Sequence, residues 1–137
     1  MSTTSAVVYF NRGTSCYVRL FTSIFSLRKH YRGPIQLLQE GPLAGEVRPL
    51  LERLEVEVRQ LPERAEPILV RKASLWKYVP ADDVMFLDSD TLIRGPVDEF
   101  FEWIRRSGFV ASWFSGWVTT GPVMRSRIEE WSCVAPE

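Results

Sequence analysis

The sequence has 137 residues, which is enough for one domain with a hydrophobic core. Its composition, 45% hydrophobic and 25% charged, is that of an ordinary globular protein rather than a disordered or fibrous one. Because 17 Lys and Arg residues balance 17 Asp and Glu residues, the charge gives no indication of a nucleic-acid partner.

In chain order, short β-branched or aromatic runs alternate with segments whose apolar residues have helical spacing. Gly, Pro and polar residues separate them. The predicted elements are a strand at 6–10, a helix from Thr14 or Ser15 to about His30, a strand at 35–38, a helix at 45–53, a strand at 54–58, a helix at 66–78, a strand at 84–87, a helix from Pro96 through Ile104 and a strand at 109–114. This alternation predicts an α/β fold of the Rossmann-like three-layer αβα type with a mostly parallel sheet.

The N-terminus and the cysteines predict a cytoplasmic protein. The opening MSTTSAVVYF has no basic residue ahead of its apolar run, which is too short for a signal peptide. No stretch approaches the roughly twenty apolar residues of a transmembrane segment. Cys16 and Cys133 lie far apart and form no CxxC pair, which indicates reduced thiols.

The stretch VMFLDSDTLIRG, residues 84–95, carries two carboxylates directly after an apolar run. Residues i and i+2 of a strand point the same way, so Asp88 and Asp90 are expected to converge at the carboxyl edge of the sheet. A hard divalent cation such as Mg²⁺ or Mn²⁺ would relieve their repulsion and could carry a substrate phosphate. The alternative is a pair of carboxylates in a turn or helix cap.

Lys72 is the second candidate site residue, because it is spaced four residues from both Ile68 and Trp76. That spacing predicts a position on the apolar stripe of its helix, where the ammonium group needs an anion or a route to water. A phosphate-binding role fits Lys72, and Arg71 beside it could assist. A lysine that merely reaches past the edge of the core is the equal alternative.

The segment RKASLWKYVPADDVMFLDSDTLIRGPVDEFFEW resembles the central part of nucleotide-sugar glycosyltransferases with the GT-A fold. It is most similar to the glycogenin-like and lipooligosaccharide glycosyltransferases of family 8. The shared features are a basic helix residue, a Trp four residues later, an apolar strand that leads into Asp-x-Asp, and a following aromatic helix. The later TTGPVMRSRIEEW resembles the NTGV segment of that family, with Thr119 in place of its usual Asn.

The resemblance implies a role for each matching position. Asp88 and Asp90 would hold the Mn²⁺ or Mg²⁺ that bridges the diphosphate of a UDP-sugar, with Asp88 and Ser89 close to the ribose. The remaining donor-binding positions would be Lys72 and Arg71 near the phosphates or sugar, and Asn11 and Arg12 near the nucleotide base.

The predicted function is that of a metal-dependent glycosyltransferase with a nucleotide-diphosphate sugar as donor and an unidentified acceptor. Residues 1–137 would form a single nucleotide-sugar-binding domain, a C-terminally incomplete GT-A domain. The family supplies a further metal ligand, a histidine, from a C-terminal segment, whereas no histidine follows His30 here. The alternative is therefore a catalytically inactive nucleotide-binding or protein-interaction domain. Clustered tryptophans, if exposed, would favour a homodimer or a further lobe.

Overall fold

The computed structural model describes residues 4–108, which form a four-stranded parallel sheet with helices on its faces. The strand order is β3-β2-β1-β4, and all three neighbouring pairs are parallel. The strands are β1 (Ser5–Arg12), β2 (Ile35–Glu40), β3 (Val56–Leu61) and β4 (Asp83–Phe86). The predicted α/β class is confirmed. The strand predicted at 109–114 and the segment that begins at Thr119 lie outside the described residues.

Within residues 4–108, four α-helices and one 3₁₀-helix connect or follow these strands. They are α1 (Tyr17–Arg28), α2 (Arg48–Arg53), α3 (Ile68–Lys72), the 3₁₀-helix Leu75–Tyr78 and α4 (Asp98–Ser107). Across residues 4–108, no helix has both the length and the apolar character needed to cross a membrane.

Alternate residues of β1 serve two separate hydrophobic cores. Val7 and Tyr9 face the larger core, to which α1, α2 and α4 contribute. Val8 and Phe10 face the smaller core on the opposite side, which includes apolar residues of the 3₁₀-helix and the residue after it. This two-sided burial explains the continuous apolar run in β1 and gives the three-layer arrangement.

Several predicted boundaries were wrong for local backbone reasons. Helix α1 begins only at Tyr17, after Cys16 in a left-handed conformation with φ 72°, and no side chain caps it. Glu55 also has a positive φ of 52°, so β3 begins after it rather than at Leu54. The helix predicted at 66–78 is two short helices, because the α-helical turns stop at Lys72.

Arg28 joins the end of α1 to the segments that precede β2 and β3. Its guanidinium donates hydrogen bonds to the carbonyl oxygens of Leu54, Gly33 and Glu55, each at 2.7 Å. These carbonyls lie just outside regular elements, where main-chain partners are scarce. One charged side chain therefore fixes where two strands start.

Replacing Arg28 with methionine (Arg28→Met) is expected to lower the free energy of unfolding by about 2–3 kcal/mol, because three carbonyls lose charge-assisted donors. Urea denaturation of the full chain measures this loss. Lys29→Met is the matched control, since the Lys29 ammonium lies over the Phe25 ring at 4.9 Å and should contribute below about 1 kcal/mol. Equal losses in the two variants would contradict the role of Arg28.

Candidate functional site

The candidate site lies at the carboxyl ends of β1 and β4. From β1 the chain proceeds through β2 to β3 on one side, whereas β4 lies on the other side of β1. Open α/β sheets bind ligands outside the carboxyl ends of their strands at such a switch in strand order. The last pair between β1 and β4 joins Val8 to Phe86, so residues 9–12 of β1 continue beside a gap.

An open cleft of about 470 Å³ occupies this position. Its walls are mainly apolar, with one lysine and one aspartate as the charged groups. The lining residues are Phe10 from β1, Phe86, Leu87 and Asp88 from the end of β4, and Leu69, Lys72 and Ala73 from α3 and the residue after it.

Asp88, Ser89 and Asp90 lie in a turn after β4, not on the strand. The strand ends at Phe86, and the amide of Thr91 donates to the carbonyl of Asp88 at 3.0 Å. The strand alternation expected to bring Asp88 and Asp90 together was therefore wrong, because the chain leaves the sheet before it reaches them. Both aspartates are exposed.

The donor set at this turn suits a hard divalent cation with an incomplete protein shell. Within the part of the chain that the structure describes, no cluster of three or more His, Cys, Asp or Glu residues could hold a metal. Mg²⁺ is often bound by one or two carboxylates, with waters and substrate phosphates in the other positions. Two exposed carboxylates are the ligand chemistry of such a site, and metal binding by Asp88 and Asp90 stays a prediction.

Lys72 reaches the same turn from the other wall of the cleft. Its ammonium forms an ion pair with a carboxylate oxygen of Asp88, and the Lys72 side chain is 36% exposed. The predicted apolar stripe was wrong: Ile68 and Trp76 are 48% and 63% exposed, and the break after Lys72 separates Trp76 from α3. The anion that Lys72 needs is supplied here by the protein itself.

Arg71 is buried on the inner side of α3, in a charged cluster that the sequence pattern did not predict. Glu40, the last residue of β2, is 1% exposed. It pairs with Arg71 Nε at 2.7 Å and with Arg12 Nε at 2.8 Å. Arg12 also donates to the carbonyl of Glu66 at 2.9 Å. The donor-binding roles expected for Arg12 and Arg71 stay predictions, but both guanidinium groups already have a carboxylate partner.

Electrostatics keep Glu40 ionised. Burial alone would raise the pKa of Glu40, but the hydrogen bonds from Arg71 and the Arg64 amide, and the charges of Arg12 and Arg71, outweigh it. The pKa of Glu40 therefore lies below its ordinary value. Hydrogen bonds with Tyr78 and Glu40 raise the pKa of Arg71. The cluster is thus a carboxylate held between two cations at neutral pH.

The signal for this cluster was present in the sequence as the run QEGP after the second apolar stretch. The predicted strand ended at Leu38 and did not include Glu40. A strand two residues longer places Glu40 inside, where a carboxylate requires a cation partner.

Asn11 lies on the opposite face of β1 from the cleft. Its neighbour Phe10 lines the cleft, whereas the buried amide of Asn11 donates to the Gly13 carbonyl at 2.9 Å and to Gln39 Oε1 at 3.0 Å. Gln39 Nε2 also donates to the Gly13 carbonyl, at 3.0 Å. These bonds tie the ends of β1 and β2 together. A contact between Asn11 and a nucleotide base stays a prediction.

The strand order defines the class of protein as an open α/β domain with a cleft at its switch point, and its fold is similar to that of glycosyltransferases. The glycosyltransferase GlyE of Streptococcus pneumoniae TIGR4 matches with a TM-score of 0.55 and 23% identity, over 74% of this chain and 27% of GlyE. TarS of S. aureus matches with a TM-score of 0.54 and 15% identity, over 75% of this chain and 20% of TarS.

A structure of TarS residues 1–349 in complex with UDP also matches, with a TM-score of 0.53 and 15% identity over 77% of this chain and 33% of that one. No protein-family model and no curated protein matches the sequence significantly. The chain spans about a quarter of the length of GlyE. At these identities the likeness shows a glycosyltransferase fold, and membership of family 8 stays a prediction.

Proposed function

We propose that this chain is the nucleotide-binding part of a metal-dependent glycosyltransferase that uses a nucleotide-diphosphate sugar, foremost a UDP-sugar, as donor. The observation that carries the proposal is the cleft at the switch point, with Lys72 and Asp88 on its rim. The fold around it is shared with GlyE and TarS, and TarS has been crystallised with UDP. The Asp-x-Asp segment resembles that of family 8 and supports the same donor class.

Each wall of the cleft has a part in donor binding. Phe10 and Phe86 offer apolar surface for the flat faces of the ligand. Asp88 and Asp90 would hold the Mn²⁺ or Mg²⁺, which would offset charge on the diphosphate leaving group. Lys72 supplies a cation within reach of that diphosphate. Together these residues orient the donor and neutralise its phosphates.

Calorimetric titration of the full chain with UDP tests the proposal. UDP is expected to bind in the presence of Mn²⁺ or Mg²⁺ and to lose most of its affinity in EDTA, because the carboxylates then repel the diphosphate. UMP is the matched ligand control, since it lacks the β-phosphate and should bind at least roughly tenfold more weakly.

Hydrolysis of UDP-sugars, measured in parallel, separates enzyme from binding domain. Metal-dependent turnover supports the transferase. Metal-dependent UDP binding without turnover of any UDP-sugar supports the inactive nucleotide-binding domain. Absence of metal-dependent UDP binding contradicts both.

A further inference from the structure

The ion pair between Lys72 and Asp88 places a cation on one of the two carboxylates that would bind the metal. Among residues 4–108, the hydrogen bonds of the Lys72 ammonium go to Asp88 alone. Asp90 has no ion pair within 4 Å in the same part of the chain. The two aspartates therefore differ: one carries an internal counter-ion and the other faces solvent.

An ammonium group and a divalent cation cannot share one carboxylate at contact distance without strong repulsion. Two like charges about 4 Å apart repel by roughly 4 kcal/mol near a protein surface. The lysine side chain has four methylene groups and rotates freely, so it can move its charge several ångströms without a change in the backbone. Arg71 lacks that freedom because it is buried and paired with Glu40.

The cleft offers a second place for the displaced ammonium. Lys72 and Asp88 both line it. A diphosphate bound through a metal at Asp88 would therefore lie within reach of the Lys72 side chain. A phosphate oxygen forms a charge-assisted hydrogen bond with an ammonium as readily as a carboxylate does. The Lys72 ammonium can thus bind either the Asp88 carboxylate or a phosphate oxygen of the donor.

Resting on the function proposed above, we propose that the Lys72 ammonium occupies the place of the divalent cation on Asp88 and that metal binding transfers it to the diphosphate of the donor. Metal alone then binds weakly, because it must break the ion pair. Metal and nucleotide together bind tightly, because the freed ammonium gains a new partner. The two ligands are therefore positively coupled through Lys72.

Two affinities of the Lys72→Met variant test this transfer. Its affinity for Mn²⁺ alone is expected to rise by about fivefold, the factor that a partly exposed ion pair can contribute. Its affinity for UDP in saturating Mn²⁺ is expected to fall by roughly tenfold, because a charge-assisted bond to phosphate is lost. Electron paramagnetic resonance measures free Mn²⁺, and calorimetry measures UDP binding.

Lys77→Met is the matched control. The Lys77 ammonium lies 5.7 Å from the centroid of the Trp76 ring, and Lys77 does not line the cleft. Both affinities of this variant should equal those of the wild type. Since Mn²⁺ and UDP also associate in solution, the decisive quantity is the difference between the two variants.

Unchanged or weaker binding of Mn²⁺ alone by Lys72→Met overturns the transfer. If wild-type chain nevertheless binds UDP with Mn²⁺, the function proposed above survives that result; if it does not, the proposed function fails as well.

Acylation of Lys72 in the wild type tests the same transfer without any variant. The reactivity of Lys72 should increase when Mn²⁺ is added and decrease again with UDP, and constant reactivity overturns the transfer.

Discussion

Replacing Asp88 or Asp90 with asparagine is expected to weaken metal-dependent binding of UDP by roughly 100-fold. Asparagine keeps the size of the side chain but removes the charge that attracts a divalent cation. The two variants should differ in the absence of metal, because only Asp88 is paired with Lys72. Acylation of Lys72 is therefore expected to be faster in Asp88→Asn than in Asp90→Asn.

Calorimetry with UDP and Mn²⁺ measures the loss, and Asp98→Asn is the matched control. Asp98 lies in the first turn of α4, is exposed and does not line the cleft. Its replacement should leave UDP binding unchanged. Wild-type affinity in both Asp88→Asn and Asp90→Asn would contradict the metal site and the function built on it.

Replacing Glu40 with glutamine is expected to lower the free energy of unfolding by about 3–5 kcal/mol, the usual cost of removing one partner from a buried ion pair. The loss is large because Arg71, only 3% exposed, would keep its charge without a carboxylate. Urea denaturation at pH 7 measures it. Glu57→Gln is the control: Glu57 is 58% exposed in its pair with Arg59 at 3.5 Å and should contribute below about 1 kcal/mol.

The pH dependence of this difference provides an independent check. Because the folded pKa of Glu40 lies below its ordinary value of 4.5, the carboxylate contributes stability that is fully present above that value. The contribution is lost as the pH falls through the folded pKa. The difference in the free energy of unfolding between wild type and Glu40→Gln should therefore be constant from pH 7 to about 5 and should become smaller below 4.5. A gap that grows on acidification would contradict the cluster.

The sequence was sufficient to predict the parallel sheet, because strands alternate with helical segments along the chain and β1, which is buried on both faces, appears as a continuous apolar run. The resemblance to family 8 implied one donor site for Lys72 and Asp88, and in the structure both residues line the same cleft. The convergence of Asp88 and Asp90 could not be derived in the same way. Strand alternation applies only while the chain remains in the sheet, and the position where β4 ends is set by its pairing with β1.

The face of α3 that is buried could not be predicted from apolar spacing. The Arg71 side chain is buried because it donates a hydrogen bond to the buried carboxylate of Glu40, 31 residues earlier in the chain. The four-residue spacing of Ile68 and Trp76 predicted instead that the face carrying these two residues is buried. Ion pairs between distant segments leave no periodicity in the sequence, so buried charges of this kind become visible only once the strands are in register.

The unequal lengths of β1 and β4 have a chemical consequence for whatever occupies the cleft. The Val8 carbonyl accepts from the Leu87 amide, so Phe10, two residues on, directs its own peptide groups toward the same side. Within residues 4–108, no residue of β4 pairs with Phe10. Along this side of the cleft, the main-chain donor and acceptor of Phe10 are therefore not used by the β1–β4 ladder. A side-chain substitution at Phe10 would change the apolar lining of the cleft but leave these two main-chain groups in place.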